Sequence, residues 1–115
     1  MKIVINDKKV NKILNDFDKI NKKIGLELTI QYKKRINELM SSNNFKEYLD
    51  IGLGNPHPLV GNLDGKFGMK LNKNYRLIVE PVSKSLDVES LIKCDTVELK
   101  GVADYHDGKC EWIIP

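Results

Sequence analysis

Hydrophobic and polar residues follow one period along the first half of this chain and another along the second, and the change falls near residue 52. Lys2-Ile3-Val4-Ile5 is short and β-branched, which predicts a first strand. Asp7 can then cap a helix, because its side chain can accept from the first free backbone N–H groups. Val10, Ile13, Leu14, Phe17, Ile20 and Ile24 recur at intervals of three or four, so they share one apolar stripe of a helix from about residue 8 to 24. Gly25 suits its C-terminal stop. A second helix is predicted over about 27–41, with Leu28, Tyr32, Ile36, Leu39 and Met40 inward and Lys33, Lys34 and Arg35 on the outer side. So short a link makes the two an antiparallel hairpin. Asn43 and Asn44 break the chain, and Phe45, Tyr48 and Leu49 fit one further turn or short helix.

Gly52, Gly54, Pro56, Pro58, Gly61 and Gly65 then mark a loop region. Phe67 to Leu71 and Tyr75 to Glu80 read as a β-hairpin turning at Lys73-Asn74 and stopped by Pro81. Residues 83–95 are polar and irregular and predict no defined element. Val97 to Ala103 reads as a further strand that ends at Asp104-Tyr105-His106. From Gly108 to Pro115 the chain is apolar for a terminus, with Cys110, Trp112, Ile113 and Ile114, and is expected to pack back on the body or on a partner. This order predicts one α+β domain over 1–115: an N-terminal strand and a helical hairpin packed on a small twisted, mostly antiparallel sheet, with 108–115 as a C-terminal extension. The second face of that sheet is left free for a ligand.

A length of 115 residues suits a single domain, and 41% hydrophobic with 30% charged residues suits one modest core. No apolar run is long enough to span a bilayer, and the N-terminus is too short and too soon charged for a signal peptide, so the cytoplasm is the expected compartment and no membrane partner is expected. Cys94 and Cys110 form neither a CxxC motif nor a metal-ligand spacing, and two reduced thiols are expected. No metal or other cofactor is expected. The charge of +3 is uneven: residues 1–50 hold eleven Lys/Arg against seven Asp/Glu, and residues 51–115 hold eight against nine. A basic half can steer a polyanion, or it can be an ordinary pair of solvated helices.

The candidate chemistry centres on the two histidines. His57 lies between Pro56 and Pro58, and His106 closes Asp104-Tyr105-His106-Asp107. Histidine gives and takes a proton near neutral pH, so the pair, with an acid and a phenol beside one member, makes an acid–base kit. Strand alternation turns Met69, Leu71, Leu77 and Val79 to the core and Lys70 and Arg76 to the open face. Arg76 can fork onto a phosphate, or it can pair with Glu80 or Asp64. The same alternation sends Asp104 and His106 to one side and Tyr105 to the other.

The string His57-Pro58-Leu59, Gly61, Leu63, Gly65, followed by Phe67-Gly68-Met69-Lys70-Leu71 and Asn74-Tyr75-Arg76-Leu77-Ile78, resembles the HigB-type plasmid maintenance killer toxins of the RelE/ParE toxin–antitoxin superfamily. Asp104-Tyr105-His106 is similar to the C-terminal Asp-Tyr-His motif of that branch. The resemblance covers about residues 54 to 106, and the helices before it agree in order with the family fold. It implies a cytoplasmic endoribonuclease that cuts mRNA in the ribosomal A site. It also implies a helix-turn-helix antitoxin as partner, and operator DNA bound only through that antitoxin. Active-site roles then fall on His57, Asp104, Tyr105 and His106, and a phosphate-binding role on Arg76. Lys70 and Lys73 are further candidates to hold the RNA backbone.

In chemical terms, metal-independent RNA cleavage needs a base for the 2′-hydroxyl, an acid for the leaving 5′-oxygen and a cation for the phosphorane. The two histidines can supply the first two in either order. Asp104 can hold an imidazole in its protonated form, and Tyr105 can stack on a base or donate to a phosphate oxygen. The chain departs from the family pattern at Val60, where relatives often carry lysine and for which Lys66 can substitute, and in the nine residues after His106. Three other readings compete with the mRNA interferase: a ParE-type gyrase poison, a catalytically degenerate antitoxin-binding module, and a metal hydrolase using His57, His106, Asp104 and Asp107. Antitoxin contact is expected at the helical hairpin and a sheet edge, with Trp112 and Ile113 included.

Overall fold

The computed structural model describes residues 1–107 and 109–115; Gly108, where the predicted extension begins, lies outside them. In chain order the elements are β1 (Lys2–Val4), α1 (Lys8–Leu14), α2 (Phe17–Ile24), α3 (Leu26–Ser41), α4 (Phe45–Ile51), β2 (His57–Pro58), a 3-10 turn (Gly61–Leu63), β3 (Phe67–Lys70), β4 (Tyr75–Pro81), α5 (Val88–Ile92), β5 (Thr96–His106) and β6 (Lys109–Ile114). The fold is α+β, as the pattern predicts, with a mixed and mostly antiparallel sheet.

The helix expected over 8–24 is two helices. Asp16 accepts from the backbone N–H groups of Asp18 and Lys19 and so starts α2 afresh, while Asn15 closes α1. A capping side chain inside an unbroken apolar stripe overrides the periodicity. The break turns Phe17 outward at the head of α2, 52% exposed, with the Lys33 ammonium 4.1 Å from its ring centroid. Met40, expected inward, is 60% exposed. Arg35, expected on the outer side, is tucked inward instead and pairs with Glu38 at 3.0 Å. Helix α5 was hidden in the polar stretch; Asp87 caps it by accepting from Ser90 N–H, and Leu91 roots it in the core.

The sheet order is β1-β5-β4-β3-β2, with β6 also on β5. Lys2, Ile3 and Val4 pair in parallel with Thr96, Val97 and Glu98, whereas β6 pairs antiparallel with Val102 to His106. β1 and β6 thus follow one another along the same edge of β5, and the apolar tail is a sheet strand. Its Ile114 is fully buried.

Two bulges govern which way β5 faces. Ile78 lies opposite Gly101 but Val79 opposite Leu99, so Lys100 is an extra residue. Val102 lies opposite Ile114 but Ala103 opposite Trp112, so Ile113 is extra on β6. An extra residue reverses the alternation of everything beyond it. Val97 and Leu99 face the main core with Met69, Leu71, Leu77 and Val79, under the helices. Past Lys100 the parity flips: Val102 faces that core, and Ala103 joins a second cluster with Leu59, Leu63 and Ile78, against which Tyr105 and Cys110 pack. That cluster seats the 59–63 segment on the face opposite the helices.

Candidate active site

The second face is built outward from Ile78 and Ala103. His57 pairs with Gly68 in the β2–β3 ladder, and Lys70 N–H donates to Gly54 O at 2.7 Å, so the chain before and at His57 is held by main-chain bonds. Leu59 N–H bonds Lys66 O at 2.9 Å on the other side. The His57 ring lies over Gly68: its Cε1 and Nε2 are 3.4 and 3.6 Å from where a Cβ on that glycine would stand. His57 Nδ1 is 3.3 Å from Asn55 O. A proton on Nδ1 donates there and leaves Nε2 with its lone pair, the form a general base needs. Arg35 steadies the approach to this histidine from α3; a Cβ on Gly54, which has φ +79°, would run into the Arg35 guanidinium. Arg35 was read as a surface cation in the sequence, and nothing local distinguishes it from Lys33 and Lys34.

Lys70 and Arg76 are directly opposed across β3 and β4 on this face. Like charges so placed destabilise a sheet. One Arg76 nitrogen, Nη1, donates to the carbonyls of Asn72, Lys73 and Tyr75 at 2.8, 3.2 and 3.1 Å. Neither the expected partner Glu80 nor Asp64 pairs with Arg76; among the described residues no carboxylate lies within 4.0 Å of Lys70 or Arg76. The other end of the face is balanced. Glu80 and Glu98 oppose each other there, and each has its own lysine, Lys66 at 3.4 Å and Lys100 at 3.2 Å. Lys66 is therefore engaged with Glu80, away from the role of substitute for a lysine at 60. Val60 itself is 77% exposed. Lys73 is exposed in the β3–β4 turn.

Tyr105 shares the second face with His57 and Arg76. Asp104 and His106 do not. Asp104 pairs with Tyr75, which packs on the main core, so the carboxylate points to the helix side at the end of the sheet. His106 Nδ1 is 3.0 Å from Asp104 Oδ1. That hydrogen bond, then the carboxylate's charge, raises the His106 pKa above the ordinary histidine value, with Glu111 and Asp107 adding and burial opposing. The candidate residues thus form two groups, a face group of His57, Lys70, Arg76 and Tyr105 and a rim pair of Asp104 and His106. A metal centre needs His57, Asp104, Asp107 and His106 together, and the sheet separates them; among the described residues no three His, Cys, Asp or Glu side chains are grouped to hold a metal ion.

Cys94 is buried in the main core, where its thiol donates to Thr96 O at 3.2 Å, and Cys110 lies opposite Tyr105 on the second face. Burial raises the pKa of both thiols.

Away from this face, α1, α2, α3 and β1 enclose an open groove of about 790 Å³ lined by Ile3, Ile5, Phe17, Tyr32, Ile36 and Met40, among others. No helix is long and apolar enough to cross a membrane among the described residues.

The architecture has known counterparts. A YoeB/ParE toxin from Agrobacterium tumefaciens is similar over 97% of this chain and 98% of its own, with a TM-score of 0.54 at 14% identity. A YoeB-YefM complex from Staphylococcus aureus is similar over 97% and 95%, with a TM-score of 0.52 at 12% identity. No family model and no curated protein matches the sequence. The fold is therefore that of the RelE/ParE-like toxins.

Proposed function

We propose that this chain is the toxin of a type II toxin–antitoxin pair and a ribosome-dependent mRNA endoribonuclease, of the HigB-like kind, that cleaves without a metal. The observation that carries the reading is the opposed, carboxylate-free pair Lys70 and Arg76 beside an imidazole, on the face the helices leave open. Two cations that repel each other across a ladder are relieved by an anion bridging them, and a phosphodiester fits.

His57 Nε2 takes the proton of the 2′-hydroxyl, and that oxygen attacks the adjacent phosphorus. Lys70 and Arg76 balance the charge on the phosphorane. The P–O5′ bond breaks, the 5′-oxygen takes a proton, and a 2′,3′-cyclic phosphate is left. Water at the open face supplies that proton, or His106, whose pKa Asp104 raises, supplies it where the RNA turns over the end of the sheet onto the rim. Tyr105 stacks on a base or donates to a phosphate oxygen.

The partner is a cognate antitoxin. Support comes from the groove beside α2 and α3, with Phe17 and Met40 exposed at its mouth, and from the Staphylococcus aureus structure being a complex of YoeB with YefM. Large exposed apolar groups around a groove suit a protein partner.

The test is inducible expression of the chain alone with early mapping of mRNA 5′ ends. New ends inside translated codons, absent in His57→Ala, are expected. Growth arrest with intact mRNA would replace this reading by a gyrase poison. A folded chain that causes no arrest would leave an antitoxin-binding module.

A further inference from the structure

The strand beyond His106 adds an aromatic residue to the candidate face. Trp112 lies opposite Ala103 in the β5–β6 ladder, and Ala103 belongs to the cluster that holds Ile78 and Leu59. Tyr105 lies opposite Cys110, two positions along the same strand. Trp112 and Tyr105 are therefore diagonal neighbours on one face, within reach of each other's ligand.

The indole has a built seat. Gly101, with φ +143°, presents bare backbone to it; the ring's Cζ3 is 3.1 Å from where a Cβ would stand, and that Cβ would also collide with the Ile114 carbonyl oxygen. A glycine inside a strand that lets another segment approach this closely marks a designed contact. The bulge at Ile113 matters equally. It lets Ile114 anchor β6 in the main core while Trp112 remains on the opposite face. Trp112 is 42% exposed, on the same face as the cations Lys70 and Arg76. An aromatic face held on a rigid strand beside phosphate-binding cations is the composition of a single-strand binding surface.

We infer that Trp112 is a base-stacking residue: it packs its indole on an unpaired base of a single-stranded RNA whose backbone runs over Lys70 and Arg76. The inference rests on the RNA reading above and deepens it. The C-terminal strand then belongs to the substrate site, and Trp112 selects for an unstacked base next to the scissile phosphate.

The chain has a single tryptophan, so its intrinsic emission reports this site alone. Purified chain is titrated with a short single-stranded oligoribonucleotide, reading indole emission and, separately, anisotropy of the labelled RNA. The expected result is quenching that saturates with the anisotropy curve. W112A should weaken binding roughly 5- to 150-fold, the range for loss of one base–aromatic stack. W112F, which keeps a π-face, should retain most of the affinity; both variants should remain folded under the assay conditions, with W112A unfolding at a lower midpoint because the indole packs on Gly101. Arg76→Ala should weaken binding while leaving the quench at saturation intact. RNA binding with unchanged emission and a neutral W112A would overturn the inference and leave the RNA reading standing; the ring would then be a contact for a protein partner. A wild-type chain that binds no RNA would overturn the stacking inference, while the cleavage reading is decided separately by the mapped mRNA ends.

Discussion

The two faces of one sheet carry opposite solutions to the same problem. On the helix side, Leu77, Val79, Leu99 and Val102 are fully or almost fully buried and read as packing, with Asp104 and His106 only at the end of the sheet. On the other side, Ile78 and Ala103 are just as buried, but around them stand His57, Lys70, Arg76, Tyr105 and Trp112. A small apolar centre there fixes a loop and leaves charged and aromatic groups around it. The cations at one end of that face lack carboxylates, while the glutamates at the other end have lysines. A surface made only for stability would pair both. On the proposed reading, that asymmetry separates scaffold from site.

The largest test of this division sets the histidines against each other. His57→Ala should lower mRNA cleavage by about 10²- to 10⁴-fold, the share of a general base. His106→Ala should cost less, because the rim is open to water. Both variants should remain folded, with His106→Ala losing only the small contribution of its pair with Asp104. Rates measured on programmed ribosomes decide it; a loss in His106→Ala as large as in His57→Ala would move the chemistry off the face and onto the rim.

Next in size is Gly101→Ala. The added Cβ meets the Ile114 carbonyl oxygen at a φ of +143°, so β6 must shift and Ile114 must leave its place in the core. Strain and lost packing together should lower stability by roughly 1–3 kcal/mol. Denaturant unfolding measures it, and an unchanged midpoint would mean that β6 does not hold the position from which Trp112 reaches the face.

A smaller effect is expected from the opposed cations. Lys70→Ala and Arg76→Ala should each weaken RNA binding and lower the dependence of log K on log salt by roughly one unit. Lys70→Ala should also relieve the cross-strand repulsion and leave the fold as stable or slightly more so. Lys66→Ala, which removes the partner of Glu80, should not flatten the salt slope; if it does, the face is a diffuse basic patch with no site at one end.

Much of this was legible in the residues. The alternation of Phe67 to Leu71 and Tyr75 to Glu80 placed Lys70 and Arg76 on one face, and the loop glycines and prolines placed His57 outside the helical layer. That Asp104 and His106 turn to one side and Tyr105 to the other was legible, but which face each takes was not. Counting from Val97 and Leu99 puts the odd positions in the main core, and only the extra residue Lys100 turns Ala103 and Tyr105 to the second face. A bulge depends on how two strands meet, which hydropathy does not encode. That the tail packs back on the body was legible, but that it does so as a strand of the sheet was not. Trp112, Ile113 and Ile114 form an apolar run with no alternation, because the bulge at Ile113 breaks the period. The split of the first helix at Asp16 did have a signal, a capping residue, but the apolar stripe outweighs it when read alone.

The smallest expected effect is also the one that fixes the role of the rim. His106 titrates above an ordinary histidine chiefly because of its hydrogen bond to Asp104. Its folded pKa is thus raised above the unfolded one, so the ion pair's contribution to stability is complete below the ordinary histidine pKa and is lost as pH rises through the raised value. Asp104→Asn removes the carboxylate's charge and leaves only a weaker, neutral acceptor for the hydrogen bond, so the His106 titration, followed by NMR of the ring protons, should move down toward the ordinary value. Glu111 and Asp107 remain and should keep it from falling further. The catalytic consequence has a definite sign. With His106 as acid, the alkaline limb of cleavage should move to lower pH in Asp104→Asn, while the acid limb stays in place. If the acid limb moves instead, His106 is the base, and the assignment of roles between face and rim is reversed.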